Sequence, residues 1–179
     1  MNKNIKDLSL VALFVAIISV CSFVSVPFGA VPFTLQLLGV FCAVDLLGTK
    51  RGFLSVVCYL GLGVCGLPVF NGFHGGIGII FGATGGFLLS FLIIVPIIGA
   101  IINRFGRKFI TLTVANLFGM VINHIFGCLW YCFMFLGDFT LRGVLSSFVV
   151  CSLPFLIPDI LKSLLAAFLT NRLKKFVEK

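Results

Sequence analysis

Charged residues are scarce in this sequence. Only 10% of its 179 residues are Asp, Glu, Lys or Arg, whereas roughly a quarter are charged in an ordinary soluble domain. So little polar surface cannot cover a water-soluble globule. Acidic residues are the scarcest, with five Asp and Glu against thirteen Lys and Arg. The basic residues cluster between apolar runs, which argues against nucleic acid as a partner.

Motifs of soluble enzymes and metal proteins are also missing. The chain has no Walker sequence, and its seven Cys include no C-x-x-C pair. Neither an ATPase site, a zinc site nor a disulfide framework is therefore indicated. All seven Cys lie within apolar stretches and are interpreted as small packing residues. We expect no enzyme activity, no metal site and no cofactor, and any ATP-driven work would need another subunit.

The sequence does contain long apolar runs. Hydrophobic residues make up 60% of the chain and the mean hydropathy is +1.25, too high for a β-barrel with alternating polar residues. A helix needs about 20 apolar residues to cross the hydrocarbon core. Six runs reach or approach this length, at 8–26, 34–47, 53–67, 77–102, 109–136 and 144–169. The sequence thus predicts an all-α integral membrane protein with six transmembrane helices in one domain, residues 1–179.

The basic residues predict how these helices are oriented. Eleven of the thirteen precede the first run, follow the sixth, or lie between the second and third or the fourth and fifth. Only Arg142 falls in a loop on the other side, and Lys162 falls inside a run. Because Lys and Arg are retained on the cytoplasmic side, both termini are predicted to be cytoplasmic. Asp45, close to Lys50 and Arg51 at the inner end of the second run, is expected in an interfacial ion pair.

Two charged residues inside the sixth run are the strongest candidates for function. Asp159 and Lys162 lie near its middle, and their three-residue spacing places them on one helix face. Each charge at the bilayer centre costs about 2.5–3.5 kcal/mol on insertion scales. The pair is therefore either a self-neutralising structural ion pair or part of a polar binding site. Pro158 favours the binding site, because a mid-span proline frees a backbone carbonyl that also needs a partner.

Other polar residues in or near the apolar runs give weaker indications. Asn71, in an outer loop, fits plain turn chemistry and a cavity equally well. Asn116 and Asn123 share a face of the fifth run and are typical of interhelical hydrogen bonds. The adjacent His124 lacks the companion ligands of a metal site.

Seven short blocks carry a resemblance to a known family. They are VPFTLQ at 31–36, LGTKRG at 47–52, YLGLG at 59–63, GLPVF at 66–70, GG at 75–76, GATGGF at 82–87 and PDILK at 158–162. In this order, over almost the whole chain, they resemble the BioY family, the biotin-specific substrate-binding (S) components of energy-coupling factor (ECF) transporters. The six-span topology derived from the charges is also that of the family.

The resemblance implies a high-affinity biotin-binding protein of the cytoplasmic membrane, surrounded by membrane lipid. It implies a partner complex of one transmembrane coupling (T) component and two ATP-binding-cassette ATPases. Ala12 and Ala16 match the A-x-x-x-A pattern with which the family docks on the T component. The ligand-binding candidates are Phe33, Thr34, Gln36, Phe70, Asn71, Thr84, Gly85, Asn123, Asp159 and Lys162.

Three features of the sequence depart from the family pattern. Ala83 occupies a position where Pro is common, and Phe87 one where Tyr is frequent. Leu88 and Leu89 stand where some members bring an Arg to the ligand. Arg142 is the other basic residue on the outer side, and we hypothesise that it attracts the biotin carboxylate.

The chemistry of biotin fits the candidate residues. Its ureido N–H groups and carbonyl can meet the Asp159 carboxylate and the Lys162 ammonium, and in a dry pocket an unpaired partner would cost several kcal/mol. Phe33, Phe70 and Phe73 can line its apolar part.

Two alternative functions stay open at the level of the sequence. The Asp–Lys pair does not exclude an S component for another vitamin. Cys128 and Cys132, one helical turn apart near the outer end of the fifth run, suggest a small intramembrane thiol enzyme, although no nucleophile–base arrangement accompanies them.

Overall fold

Apolar helices make up most of the structure. The computed structural model describes residues 3–27, 29, 31–138 and 140–177, and within them the chain forms seven α-helices and one short antiparallel hairpin. The helices are α1 Lys3–Phe23, α2 Gln36–Leu47, α3 Thr49–Val64, α4 Gly85–Phe105, α5 Phe109–Trp130, α6 Leu141–Cys151 and α7 Leu156–Val177. The hairpin pairs β1 Ser25–Val26 with β2 Phe33–Thr34, and a π-helical segment, Tyr131–Leu136, extends α5. Lys179, counted above among the cytoplasmic basic residues, lies outside the described residues.

Helix length and hydropathy agree with a membrane protein. In the described part of the chain, four helical segments are long and apolar enough to cross a membrane: Asn4–Phe23, Gly85–Phe105, Phe109–Leu136 and Leu141–Lys175. The apolar α2 has only 12 residues, about 18 Å of helix, and α3 has 16. The predicted all-helical membrane architecture is confirmed, whereas these lengths alone do not give six spans.

α2 is the central helix of the bundle. All of its residues are buried, and it packs against α1, α3, α4 and α7. A helix that is apolar on every face is stable only in such an interior position. α1 can approach closely because α2 has Gly39 at the crossing, where a Cβ would lie 3.1 Å from Ile18 Cα. This packing fixes the start of α2, which carries Gln36.

The predicted interfacial ion pair of Asp45 is wrong. Asp45 is fully buried in α2 and accepts a hydrogen bond of 2.8 Å from Asn116 of α5, which is an interhelical bond of the kind expected for Asn116. Arg51 instead pairs with Asp7 of α1 at 2.9 Å. The reason is the central position of α2, which hides Asp45 from the interface where Lys50 and Arg51 lie.

The fourth run becomes helical later than predicted. Residues 65–84 form an irregular loop with single 3-10 turns at Asn71–Phe73 and Ile77–Ile79, and α4 begins only at Gly85. An isolated bridge joins Phe70 to His74. The Val69 carbonyl accepts hydrogen bonds from Ser22 of α1 and Tyr59 of α3, so the loop packs on the end of the bundle where α2 begins.

The sixth run contains two helices instead of one. α6 ends at Cys151, and Ser152 leaves the helical region with φ −124° and ψ −48°. A single 3-10 turn, Leu153–Phe155, with Pro154 at its start leads into α7. Because of this break, the segment that contains Pro158, Asp159 and Lys162 lies near the beginning of a helix instead of in the middle of one.

Pro158 consequently lies in the first turn of α7. Backbone N–H groups of a first turn have no acceptor within the helix, so proline is tolerated there without loss of a hydrogen bond. The predicted free carbonyl of a mid-span proline is therefore wrong. Asp159 lies in the same turn, where the positive end of the helix dipole favours a carboxylate.

The crossing of α4 and α5 yields a stability prediction. A Cβ added at Gly86 of α4 would overlap Trp130 of α5, and overpacking of this kind typically costs about 1–3 kcal/mol. We expect Gly86→Ala to lower the melting temperature of the detergent-solubilised protein. Gly61→Ala is the matched control, because nothing lies within 4 Å of a Cβ at that position of α3. Equal melting temperatures for the two variants would contradict the prediction.

Candidate functional site

A cavity of about 200 Å³ lies between the starts of α2, α4 and α7 and the second half of α5. β2 and the loop 65–84 border it at the end of the bundle where α2 begins, and leave it partly open there. Of its twenty described lining residues, eleven are apolar or aromatic and nine are polar, so it combines apolar walls with polar groups that can orient a small molecule. Nine of the ten candidate residues line it: Phe33, Thr34, Gln36, Phe70, Asn71, Thr84, Asn123, Asp159 and Lys162.

The Asp159–Lys162 pair lies in the cavity wall and is nearly inaccessible to solvent, at 5% and 6% exposure. The Lys162 ammonium donates hydrogen bonds to Asp159 Oδ1 at 2.6 Å and to the backbone carbonyl of Thr34 at 2.5 Å. It also lies 4.0 Å from the centre of the Phe33 ring, within cation–π range. One ammonium therefore ties the first turns of α7 to β2.

His124 of α5 completes a buried polar cluster. Its Nε2 lies 3.0 Å from Asp159 Oδ2, within ion-pair distance but not aligned for a hydrogen bond. Its Nδ1 lies 2.9 Å from Ser152 Oγ, which lies 2.9 Å from Cys128 Sγ. We call Lys162, Asp159, His124, Ser152 and Cys128 the polar cluster. Within it, one oxygen of the Asp159 carboxylate accepts a hydrogen bond from Lys162, and the other lies beside the His124 ring.

Sequence reasoning missed this role of His124, which it tested only as a metal ligand. The one available indication was a second polar residue directly beside Asn123 in an apolar run. Two residues on separate helices, His124 and Asp159, can be paired only when the packing of α5 on α7 is known.

Two buried amides fix the helices around the cavity. Asn123 of α5 donates to the Phe87 carbonyl at 3.1 Å and to Ser90 Oγ at 2.5 Å, both in α4. Gln36 of α2 donates to the Tyr59 hydroxyl of α3 at 2.7 Å. The interhelical hydrogen bonding expected for Asn123 is confirmed, and the cavity wall is held by side chains rather than by loops alone.

Asn71 presents an unused acceptor. It lies in the 3-10 turn Asn71–Phe73 and lines the cavity. Its Oδ1 is buried and has no hydrogen-bond partner in the chain. An unsatisfied buried acceptor costs about 1–3 kcal/mol, so a ligand N–H at this place would be favourable.

Three residues considered for the ligand lie apart from the cavity wall. Gly85 packs against the loop, since a Cβ there would collide with the Ile80 carbonyl. Phe73 is 66% exposed and stacks on Phe23 with ring centres 4.3 Å apart, so its predicted place in the cavity wall is wrong. Arg142 is exposed in the first turn of α6 and does not line the cavity, so the structure gives it no contact there.

Ala12 and Ala16 lie on an exposed face of α1. The opposite face buries Val11, Phe14 and Ile18 against the bundle. The small side chains therefore leave the backbone of α1 open to close approach by a helix from outside the chain.

The interpretation of the cysteines as packing residues holds only in part, because Cys128 and Cys132 also make hydrogen bonds. All seven are free thiols, and Cys42, Cys128, Cys132 and Cys151 are buried. In the part of the chain that the structure describes, no group of three or more His, Cys, Asp or Glu side chains is placed to hold a metal ion.

Comparison with known proteins identifies close similarity over the whole chain. The model of the BioY family matches residues 1–179. A protein of Pyrococcus horikoshii named probable biotin transporter BioY is 41% identical over 94% of this chain and 96% of its own. The biotin transporter BioY of Thermotoga maritima is 34% identical over 95% of this chain and 96% of its own.

A solved structure has the same architecture. The crystal structure of the S-component for biotin from an ECF-type ABC transporter matches with a TM-score of 0.84 and 30% sequence identity. The match covers 98% of this chain and 95% of that one. The helix arrangement described above is therefore that of a membrane-embedded S component.

Proposed function

Because the chain belongs to the BioY family, we propose that it is the S component of an ECF-type transporter and that it binds biotin for uptake. The observation that carries this proposal is the buried Asp159–Lys162 pair in the wall of the cavity. The ureido group of biotin offers N–H donors and a carbonyl acceptor to these two residues. Asn71 Oδ1 supplies a further acceptor for a ureido N–H, and Phe33 and Phe70 enclose the apolar rings.

Isothermal titration of biotin into the purified, detergent-solubilised protein tests the proposal. We expect stoichiometric binding with nanomolar affinity. If folded protein does not bind biotin, the ligand assignment is wrong, and other vitamins become the candidates. The thiol-enzyme alternative is no longer needed, since the relatives named above are transporters. Alkylation of the accessible Cys is accordingly expected to spare biotin binding.

The membrane topology is part of the proposal: six spans, with both termini on the cytoplasmic side of the cytoplasmic membrane. Residues from three of the basic clusters support this topology, because they line one common recess: Lys6, Lys50, Arg51 and Arg107. This recess lies at the end of α2 opposite the cavity. Retention of Lys and Arg on the cytoplasmic side then directs the cavity outward.

The proposed partners are a T component and two ATPases. The chain has no Walker sequence of its own, so ATP hydrolysis must occur elsewhere in the transporter. The exposed Ala12 and Ala16 face of α1 is the proposed contact with the T component.

His124 yields a prediction for binding. We expect His124→Ala to weaken biotin binding about tenfold, because Asp159 Oδ2 loses the group 3.0 Å away that positions it. Titration calorimetry measures the effect. Ser152→Ala is the matched control: it removes the contact at the other ring nitrogen, 2.9 Å away, and leaves the Asp159 contact in place. An affinity of His124→Ala equal to that of Ser152→Ala would show that His124 does not position Asp159.

A further inference from the structure

The ionisable side chains of the cavity wall are few. Apart from the thiol of Cys151, the described lining residues of this kind are His74, His124, Asp159 and Lys162. The last three belong to the polar cluster, where Lys162 contacts Asp159 and the Thr34 carbonyl, and His124 contacts Asp159 and Ser152. Their charges and donors are thus directed at one another and at the ureido end of the ligand.

His74 differs from these three. It is exposed, in the outer loop where the cavity opens, and its backbone is fixed by the hydrogen bond from Phe70 N to His74 O at 3.0 Å. Its imidazole makes no hydrogen bond or ion pair with another described residue. The ring rests beside Gly72, where a Cβ would lie 3.0 Å from His74 Cδ2, and Gly72 has a φ of +70°. The backbone therefore holds an unpaired imidazole at the mouth of the cavity.

We propose that His74 binds the carboxylate of biotin. This inference rests on the proposed function, because it names the partner of the second polar end of the same ligand. The ureido group and the carboxylate lie at opposite ends of biotin, so with the ureido group at the buried Asp159–Lys162 pair the carboxylate is directed toward the mouth. A carboxylate is costly to bury without a partner, and at the mouth it keeps water while it accepts a charge-assisted hydrogen bond from the imidazole.

The structure removes the other cationic candidates. Arg142 does not line the cavity, and Lys162, the one Lys or Arg among the described lining residues, is hydrogen-bonded to Asp159 and Thr34 at the ureido end. The neutral Asn71 and Thr84 remain as donors in the wall, and the experiment separates them from His74.

The test compares biotin with biotin methyl ester, which keeps the ring system and lacks the negative charge. Affinities of both ligands are measured by titration calorimetry for the wild type, His74→Gln and His74→Arg. We expect His74→Gln to weaken biotin binding about tenfold and to leave the affinity for the ester unchanged. His74→Arg, which places N–H donors at the same position, is expected to bind biotin about as tightly as the wild type.

Two results would overturn the inference. Equal losses for acid and ester in His74→Gln would mean that the residue shapes the loop without contacting the carboxylate. Unchanged binding of both ligands would assign the carboxylate to neutral donors such as Asn71. A wild-type protein that binds neither ligand would instead overturn the proposed function itself.

Discussion

Replacing Asp159 with Asn, or Lys162 with Ala, is expected to weaken biotin binding more than tenfold, about 1.4 kcal/mol or more. The ammonium lies 2.6 Å from the carboxylate, and both side chains are almost fully buried. A ureido group placed beside the pair can contact both, whereas each substitution leaves one ligand atom and one protein group without a partner in a dry site. Titration calorimetry on the purified variants measures the loss.

Loss of folding must be separated from loss of binding. Removing one partner of a buried pair costs about 3–5 kcal/mol of stability, whereas an apolar replacement of the whole pair is often tolerated. We therefore expect the double variant Asp159→Asn with Lys162→Met to melt closer to the wild type than Lys162→Ala alone, and still not to recover biotin binding. Tight biotin binding by the folded double variant would show that Asp159 and Lys162 form a structural ion pair and do not contact the ligand.

The ion pair at the other end of the bundle is the matched control. Asp7 and Arg51 lie 2.9 Å apart with one third of each side chain exposed, so their contribution to stability is small. Asp7→Asn is expected to leave biotin affinity unchanged. A loss comparable to that of Asp159→Asn would mean that charge changes anywhere in the protein disturb binding.

The candidate site could be predicted from the sequence where its members are neighbours along the chain. Asp159 and Lys162 share a helix face by their spacing, and the structure places them 2.6 Å apart. The contacts of Lys162 with Thr34 and of Asp159 with His124 join residues that are far apart in sequence. They depend on how α7 packs against β2 and α5, which residue spacing does not determine.

The fold, too, could be predicted from the sequence only in part. Apolar runs correctly predict a helical membrane bundle, because hydropathy reports directly on the surrounding lipid. The run 144–169 is largely apolar, so its hydropathy does not reveal that the helix is interrupted at Ser152. Pro154 is the one indication of this break in the sequence. The burial of Asp45 is hidden for a different reason: α2 is covered on all sides, and its neighbours are distant in sequence.

Substitution of Ala16 by Trp is expected to abolish biotin uptake without changing biotin affinity. Ala12 and Ala16 are exposed on α1, on the face that does not pack against the bundle, so a large side chain there does not disturb the cavity. It does prevent the close backbone approach that small residues allow between membrane helices. Ala12→Trp is expected to act in the same way. Uptake of labelled biotin by cells that express the complete transporter measures transport, and co-purification of the T component measures docking.

Ala100→Trp is the matched control for this experiment, since Ala100 is an exposed alanine on α4 and the substitution adds the same volume to a different face. We expect it to preserve uptake, docking and binding. If Ala100→Trp and Ala16→Trp reduce uptake equally, the effect is a general response to bulk at the lipid-facing surface. If Ala16→Trp loses biotin binding while the T component still co-purifies, α1 supports the cavity, and the docking surface must lie on another helix. Loss of docking and uptake with intact binding, in the Ala12 and Ala16 variants alone, assigns the T-component contact to this face of α1.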